Sequence, residues 1–543
     1  MRLHPISHPP VSRDTFLRAF YTLMRGNLAM KTLALFAACF AILLVASAST
    51  SAARQDAPQA QSQSKPADAA KSDKEKPAPP VEKFSVTHQT AKIAGQQINY
   101  TATVGTYVIK DDAGEAKASF FFVGYVKDGV ANPADRPIAF SYNGGPGSAS
   151  LFVHMGFGPK RPVLTADGHG LPAPYLITDN EDSFLDATDL VFIDAISTGA
   201  SRPAAGQDVK QFHGLVEDAN YFADFIYQYL TRNGRWGSPK FLIGESYGTT
   251  RSAELSGILQ HRHQIYLSGI VMVSTYIMPP TIDDNPGNDM PPMFYLPTYA
   301  TTAWFHHLLS PDLQNETVDQ VAQQASAFAD GEYAQALMKG DQLSDAERQK
   351  VVQDLTHFTA LSPKYIEQSN LRIIEDRWAK ELERDKRRTV GQLDSRFEGI
   401  DSDAAGERYQ YDPSEASYEG AWMATFQDYI HRDLKWDGEG YYAVSARVWP
   451  WDQEGWTNIT ETLRAAMTQQ GFLRVLFVCG YYDANTPFHA VEYTVNHLGL
   501  EPSLRKNVSF TFVGAGHMPY IDRQAADKLH RDVDAFIVSA YGH

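Results

Sequence analysis

Residues Phe241-Leu242-Ile243 run into Gly244-Glu245-Ser246-Tyr247-Gly248, and a helix-compatible stretch, residues 249–255, follows at once. The pattern is strand, tight turn, helix, the context of a nucleophile elbow. Such a turn forces Ser246 into a strained backbone conformation and lifts its hydroxyl clear of the strand end. β-Carbons at positions 244 and 248 would crowd the entering strand and the leaving helix. Taken alone, Gly-x-Ser-x-Gly is equally an ordinary glycine-rich turn, so the rest of the chain has to decide.

The N-terminal part concerns address. An apolar run at residues 33–46 has Lys31 before it and small residues at 47–53 behind it, the layout of an export signal with cleavage near Ala48 or Ala53. Residues 1–53 are therefore expected to be a signal peptide or membrane anchor, with Met30 as the true start and residues 1–29 as an upstream extension. Uncleaved, the run would be a single span of marginal length behind Arg2, Arg13, Arg18 and Arg25, and only then is membrane association expected. Cleavage is the preferred reading, making the protein exported, periplasmic or secreted. Residues 54–82, rich in Ala, Gln, Pro and Lys, read as a flexible tether.

Two bounds follow from composition. The net charge of −16 argues against a nucleic-acid partner. The two cysteines are Cys39 and Cys479, so signal removal leaves one thiol and no intrachain disulfide. Cys479 sits in an apolar strand pattern and reads as a buried structural thiol.

From residue 83 the chain alternates between sheet and helix signals. Residues 84–87, 100–104, 118–126 and 137–140 read as strands, the first of them antiparallel hairpins. The last empties into Asn143-Gly144-Gly145-Pro146-Gly147-Ser148. A Gly/Pro-rich break after a strand is either a structural turn or a cradle of backbone N–H groups for an anion. A P-loop is excluded, because no Lys-Ser or Lys-Thr follows the glycines. Residues 190–194 are another buried strand, and Asp194 at its end is either catalytic or a carboxylate that fixes a loop. An amphipathic helix with Leu215, Ala219, Phe222, Ile226 and Leu230 on one face leads back to the elbow.

Downstream, residues 83–290 and 401–543 are expected to form the two parts of one α/β domain, with residues 291–400 a mainly helical lid over its mouth. Helical patterns are expected at 299–309, 318–338, 345–355 and 364–388, the last highly charged and read as a solvated face. The sheet resumes at 472–480, delivering Tyr481-Tyr482-Asp483. A final strand, 508–513, delivers Gly514-Ala515-Gly516-His517, and a helix over 524–538 closes the chain. Ser246, Asp483 and His517 thus stand at the carboxyl ends of three strands in the order nucleophile, acid, base, which is the α/β-hydrolase order. The expected fold is a mixed, mostly parallel central sheet flanked by helices. His517 would take the Ser246 proton while Asp483 holds its tautomer. Backbone N–H groups of Tyr247 and Gly145 would form the oxyanion hole.

Together these blocks resemble the serine carboxypeptidase family: Asn143 to Gly147, Gly244 to Tyr247, Gly480-Tyr481-Tyr482-Asp483 and Gly514 to His517 stand in that family's order, and the likeness runs from about residue 135 to the end. The resemblance implies removal of the C-terminal residue of a peptide or protein, commonly at acid pH, with no metal and no other cofactor. It makes Ser246, Asp483 and His517 the triad, Gly145 and Tyr247 the oxyanion hole, and Asn143 with Glu245 the holders of the substrate's terminal carboxylate. A protonated Glu245 can donate to a carboxylate and an ionised one repels it, so binding should weaken as pH rises.

The departures cluster in one part of the site. Ser141 stands where the family usually has Trp, Ser148 where it has Cys, and Gly248-Thr249 where it has Ala-Gly. Gly156 replaces a second Glu, Tyr481 replaces the first Asp of Gly-Asp-x-Asp, and the segment Met518-Pro519-Tyr520 is one residue short. Terminal-carboxylate recognition then calls for a substitute, with His154 or a lid residue as the candidate. Two other readings share the sequence: an esterase, aminopeptidase or acyltransferase on the same scaffold, and a non-catalytic binding protein, which the intact triad and Gly145 argue against.

Overall fold

The computed structural model describes residues 79–449, 451 and 458–541. The apolar run at 33–46, Cys39 and all but the end of the expected tether lie outside the described residues. Among those described, no helix is long and apolar enough to cross a membrane.

Strands β1 (Phe84–Ile93) and β2 (Gln96–Lys110) form an antiparallel hairpin that turns at Ala94 and Gly95, both at positive φ. β3 (Ala116–Lys127) pairs antiparallel with β2. Six parallel strands follow: β4 (Ile138–Tyr142), β5 (Asp189–Ile193), β6 (Lys240–Glu245), β7 (Gly269–Val273), β8 (Arg474–Gly480) and β9 (Val508–Val513). The order across the sheet is β1-β2-β3-β5-β4-β6-β7-β8-β9, and the short strand Arg202–Pro203 also pairs with β3. β4 to β7 are buried at every residue, as strands covered on both faces must be, and their sequences accordingly read as near-continuous apolar runs.

Alternation along these strands feeds two cores. Phe140, Leu242, Ile270 and Phe477 pack beneath α2 (Leu215–Arg232) and α3 (Tyr247–His263). Ala139, Ile243, Val271 and Val478 face the opposite side with α1 (Leu151–Phe157). The elbow strand β6 lies between β4 and β7, so its carboxyl end opens at the centre of the sheet.

A third core belongs to the insertion, built on α4 (Met290–Phe305), α5 (Val318–Phe328), α6 (Asp345–Thr359) and α7 (Glu375–Glu381). Capping boxes at Thr317 and Ser344 start α5 and α6. Two of the expected helices differ. α4 begins nine residues before position 299, because Pro291 and Pro292 fall in its first turn, where a missing N–H costs nothing, and Pro297 is accommodated within it. The expected helix over 364–388 is broken into Pro363–Gln368, α7 and a 3₁₀ turn, Arg384–Lys386. Asn370 and Leu371 take left-handed backbone there, which lets Leu371 and Ile373 enter the core. That stretch is not a simple solvated face: Lys380 is buried in an ion pair with Asp401, and Glu383 is buried beside Lys386. After the insertion, α8 (Pro413–Asp428) and α9 (Arg523–Tyr541) return to the α1 face of the sheet.

Candidate active site

Ser246 sits between β6 and α3 at φ 57°, ψ −129°, the strained conformation expected of the elbow. Its N–H donates to the Val273 carbonyl at 3.0 Å, tying the turn to β7. A β-carbon at Gly248 would lie 2.9 Å from the Tyr142 carbonyl oxygen, and one at Gly244 would lie 2.6 Å from the Ser252 hydroxyl. Both glycines are therefore demanded by close approach.

Asp483 and His517 follow β8 and β9. Nδ1 of His517 donates to Oδ2 of Asp483 at 2.9 Å, which leaves Nε2 as the free nitrogen of the ring. The same Asp483 oxygen accepts from the Thr486 hydroxyl at 2.6 Å, and Oδ1 accepts the N–H groups of Asn485 and Thr486 at 2.9 and 2.8 Å. Four donors therefore fix a carboxylate that is wholly buried. Burial works against a charge on His517, but Asp483, Glu245 and Asp412 outweigh it and raise its pKa above the ordinary value.

The loop after β4 leans on the elbow. Gly144 packs so closely that a β-carbon there would lie 2.7 Å from the Gly248 nitrogen and 2.8 Å from the Glu245 oxygen. Gly145 follows at φ 106°, and its N–H takes no acceptor within the described residues. Tyr247 opens α3, where the first helical N–H groups have no intrahelical partner. The structure thus brings the two expected donors to one end of the sheet, next to Ser246.

Asn143 is held at four points, the first being its own N–H, which donates to the Ser150 hydroxyl at 3.3 Å. Its carbonyl accepts from Arg251 at 2.8 Å, its Oδ1 from the Val153 N–H at 3.1 Å, and its Nδ2 donates to Oε1 of Glu245 at 2.7 Å. Arg251 is itself buried against Asp218, 2.5 Å away. Oε2 of Glu245 accepts the hydroxyl of Tyr520. Burial, opposed by His517, Tyr520 and Asn143, raises the Glu245 carboxyl to about 7.

The suggested substitutes for the second Glu are not found where they were sought. His154 is bonded to the Tyr125 hydroxyl at 2.6 Å and stacked on Phe192, and burial drives its pKa down to about 3; it makes no bond to Asn143 or Glu245. No lid residue bonds to that pair either, among the described residues. The partner of Glu245 is Tyr520, from the shortened segment behind His517. Asp194 proves to fix loops: it accepts from the Ser150 N–H, the Ala200 N–H and the Tyr442 hydroxyl. Cys479 is buried, and its surroundings raise its pKa well above the usual range.

Sequence reasoning missed a second set of residues. The segment Gln392 to Ser395 of the insertion bonds to the loops that follow β8 and β9: Ala484 N–H to the Gln392 carbonyl at 3.0 Å, Ser395 N–H to the Tyr482 carbonyl at 3.0 Å, His517 N–H to the Leu393 carbonyl at 2.6 Å, and Gly516 N–H to Oδ2 of Asp394 at 3.0 Å. Tyr481, in place of the family's Asp, bonds through its hydroxyl to Asp319 on α5. Most of these are backbone contacts, which leave no side-chain signature.

Two groups among the described residues have metal-ligand spacing, Asp186–His530–Asp534 and His306–Glu383–Glu398. Neither shares a residue with the triad. In the first, burial of His530 is outweighed by Asp186 and Asp534, 3.0 and 3.2 Å away, which raise its pKa to about 10, and Lys386 and Arg388 stand beside the carboxylates of the second.

Comparison with known proteins gives one family. The sequence model described as serine carboxypeptidase matches residues 95–516. No curated protein matches. Among solved structures, Est816, titled an N-acyl homoserine lactone degrading enzyme, is 9% identical with a TM-score of 0.32, over 78% of this chain and 99% of that one. Esterase E22 is 11% identical with a TM-score of 0.29, over 84% and 100%. Monoglyceride lipase from Saccharomyces cerevisiae is 10% identical with a TM-score of 0.34, over 80% and 94%. Likenesses this loose carry no argument about chemistry.

Proposed function

The chain belongs to the serine carboxypeptidase family, and from that premise we propose how its own residues hydrolyse the C-terminal peptide bond. Ser246 attacks the scissile carbonyl, and His517 takes its proton through Nε2 and returns it to the leaving amine. Asp483 holds the tautomer and balances the imidazolium. The N–H groups of Gly145 and Tyr247 meet the oxyanion. The acyl-enzyme is then released by water activated at the same imidazole.

The observation that carries this reading is the 2.9 Å bond from Nδ1 of His517 to Asp483, set beside a serine held at φ 57°. Exopeptidase action rests on the neighbour of that serine. Glu245, bonded to Asn143 and raised to about 7, stays protonated through the acid range and can donate to the terminal carboxylate of a peptide. Free-acid substrates therefore bind as long as pH lies below about 7 and lose that donor above it.

The test is kcat/KM between about pH 3 and 8 for N-blocked dipeptides as free acids, C-terminal amides and esters, with a Ser246→Ala control. Free acids cleaved best, with amides poor, are expected. Equal turnover of amides, lost in the control, would remove Glu245 and Asn143 from the reading. We also propose export, on the strength of the signal-like residues 31–53. N-terminal sequencing of the mature protein should find a start near residue 49 or 54; an intact Met1 or Met30 would refute it.

A further inference from the structure

Tyr520 lies on the 3₁₀ turn Pro519–Ile521, directly behind His517, and is 1% exposed. Its ring stands on Gly156, where a β-carbon would be 2.5 Å from Cδ2. Phe157 and Trp422 enclose it, with ring centroids at 4.9 and 5.7 Å, and Arg161 donates to its backbone carbonyl at 3.1 Å. A ring so confined can aim its hydroxyl in only one direction. It aims it at Oε2 of Glu245, while Asn143 occupies Oε1.

On the reading of Glu245 as the group that meets the substrate's carboxylate, we propose that Tyr520 is a positioning residue of that site: it holds the Glu245 carboxyl against Asn143 and sets the pH range in which free-acid substrates bind. Gly156 is the sequence trace of this arrangement, because any side chain there would displace the ring.

The physical reason lies in the kind of donor. Burial and the proximity of Glu245 keep the Tyr520 hydroxyl protonated well beyond the ordinary tyrosine range, so it donates to Glu245 at every working pH. A permanent donor favours the ionised carboxylate and works against burial. The other groups facing Glu245 are His517 and Asn143, which also favour ionisation, and Asp483, which opposes it. Around Tyr520 stand Tyr418, Glu245 and Asn143, and His517 faces Asp483, Glu245 and Asp412. Loss of the Tyr520 hydroxyl alone should therefore leave Glu245 protonated to higher pH.

The test is Tyr520→Phe, which keeps the ring on Gly156. For a free-acid dipeptide, the alkaline limb of kcat/KM should move up by about one pH unit. At pH 5 KM should rise several-fold, because the carboxyl has lost one of its two supports, and kcat on the C-terminal ester should stay within about twofold. A purely structural role would lower ester turnover too and leave the limb in place. Should the Phe variant not fold, Tyr520→Leu removes the same donor and the same upward shift is expected. An unmoved limb in either folded variant, in an enzyme whose wild type prefers free acids, overturns this proposal alone. A wild type that cleaves amides as well as free acids overturns the reading of Glu245, and this proposal with it.

Discussion

The backbone N–H of His517 donates to the carbonyl oxygen of Leu393 at 2.6 Å, so a residue of the helical insertion holds the loop that carries the proposed base. Asp394, the next residue, accepts from Gly516 and is locked by Arg396, which also reaches the Gly514 carbonyl and Asp522. The insertion thus bonds directly to the loops that follow β8 and β9. It closes a frame around the acid and base loops.

That frame predicts the effect of Asp394→Ala. With Gly516 and Arg396 both released, the His517 loop loses its precise position, and misplacement on the ångström scale costs up to about 100-fold in rate. kcat should fall while KM for free-acid dipeptides changes little; steady-state kinetics on both ester and peptide substrates would check it. Equal loss in KM and kcat would point instead to a disturbed pocket.

Asp483→Asn keeps the shape of the acid but donates where it should accept. The imidazole would then favour the tautomer with its proton on Nε2, unable to serve as base, and kcat should drop by about 10⁴-fold. Circular dichroism should show the fold retained, since the donors from Asn485 and Thr486 still reach Oδ1.

Gly144→Ala should damage the oxyanion hole without touching the triad. The added methyl would lie 2.7 Å from the Gly248 nitrogen, so the loop bearing Gly145 must move away from the elbow. Loss of one such donor costs about 100- to 1000-fold in kcat. Rates within tenfold of wild type would mean that Gly145 is not a donor.

The buried Glu245 also predicts a pH dependence of stability. Its pKa is raised from 4.5 to about 7 on folding, so the folded state holds its proton more tightly than the unfolded chain does. Its contribution is most favourable below pH 4.5 and is lost as pH rises through 7, a difference on the order of 3 kcal/mol. Glu245→Gln cannot ionise. Thermal melts at pH 5 and pH 8 should show a smaller gap in Tm for this variant than for wild type.

The pH profile of activity belongs to His517 and Glu245 together. Each favours the charged form of the other, and the active arrangement, neutral His517 with protonated Glu245, carries the same number of protons as the inactive ion pair. The limbs of kcat/KM therefore belong to the pair as macroscopic values, and a change in the support of either residue shifts them. A substrate carboxylate, by favouring protonated Glu245, draws the pair toward the active arrangement.

Much of this site could be read along the chain because its parts are local. The elbow is eight residues long, and Gly244 and Gly248 announce a close approach that the fold then makes. Ser246 and Asp483 each follow a run of apolar residues, as parallel strands buried on both faces produce whatever their partners, and His517 follows the edge strand β9, whose Val-Ser-Phe-Thr-Phe-Val pattern is that of a partly exposed strand. Asp194 could be read only as two alternatives, since a carboxylate at a strand end looks the same whether it reacts or fixes a loop.

The sequence by itself determined the class of fold, a mixed and mostly parallel sheet flanked by helices, and pointed to the proposed triad and its order, because strand pattern, turn geometry and residue type are properties of short segments. Only the tertiary structure decided what stands behind Glu245 and what holds His517. Tyr520 and Glu245 are 275 positions apart, and a single ring turned inward from a 3₁₀ turn has no periodicity to betray it. Leu393 acts through its carbonyl, a group every residue has. Contacts of that kind arise from packing, and no local pattern encodes them.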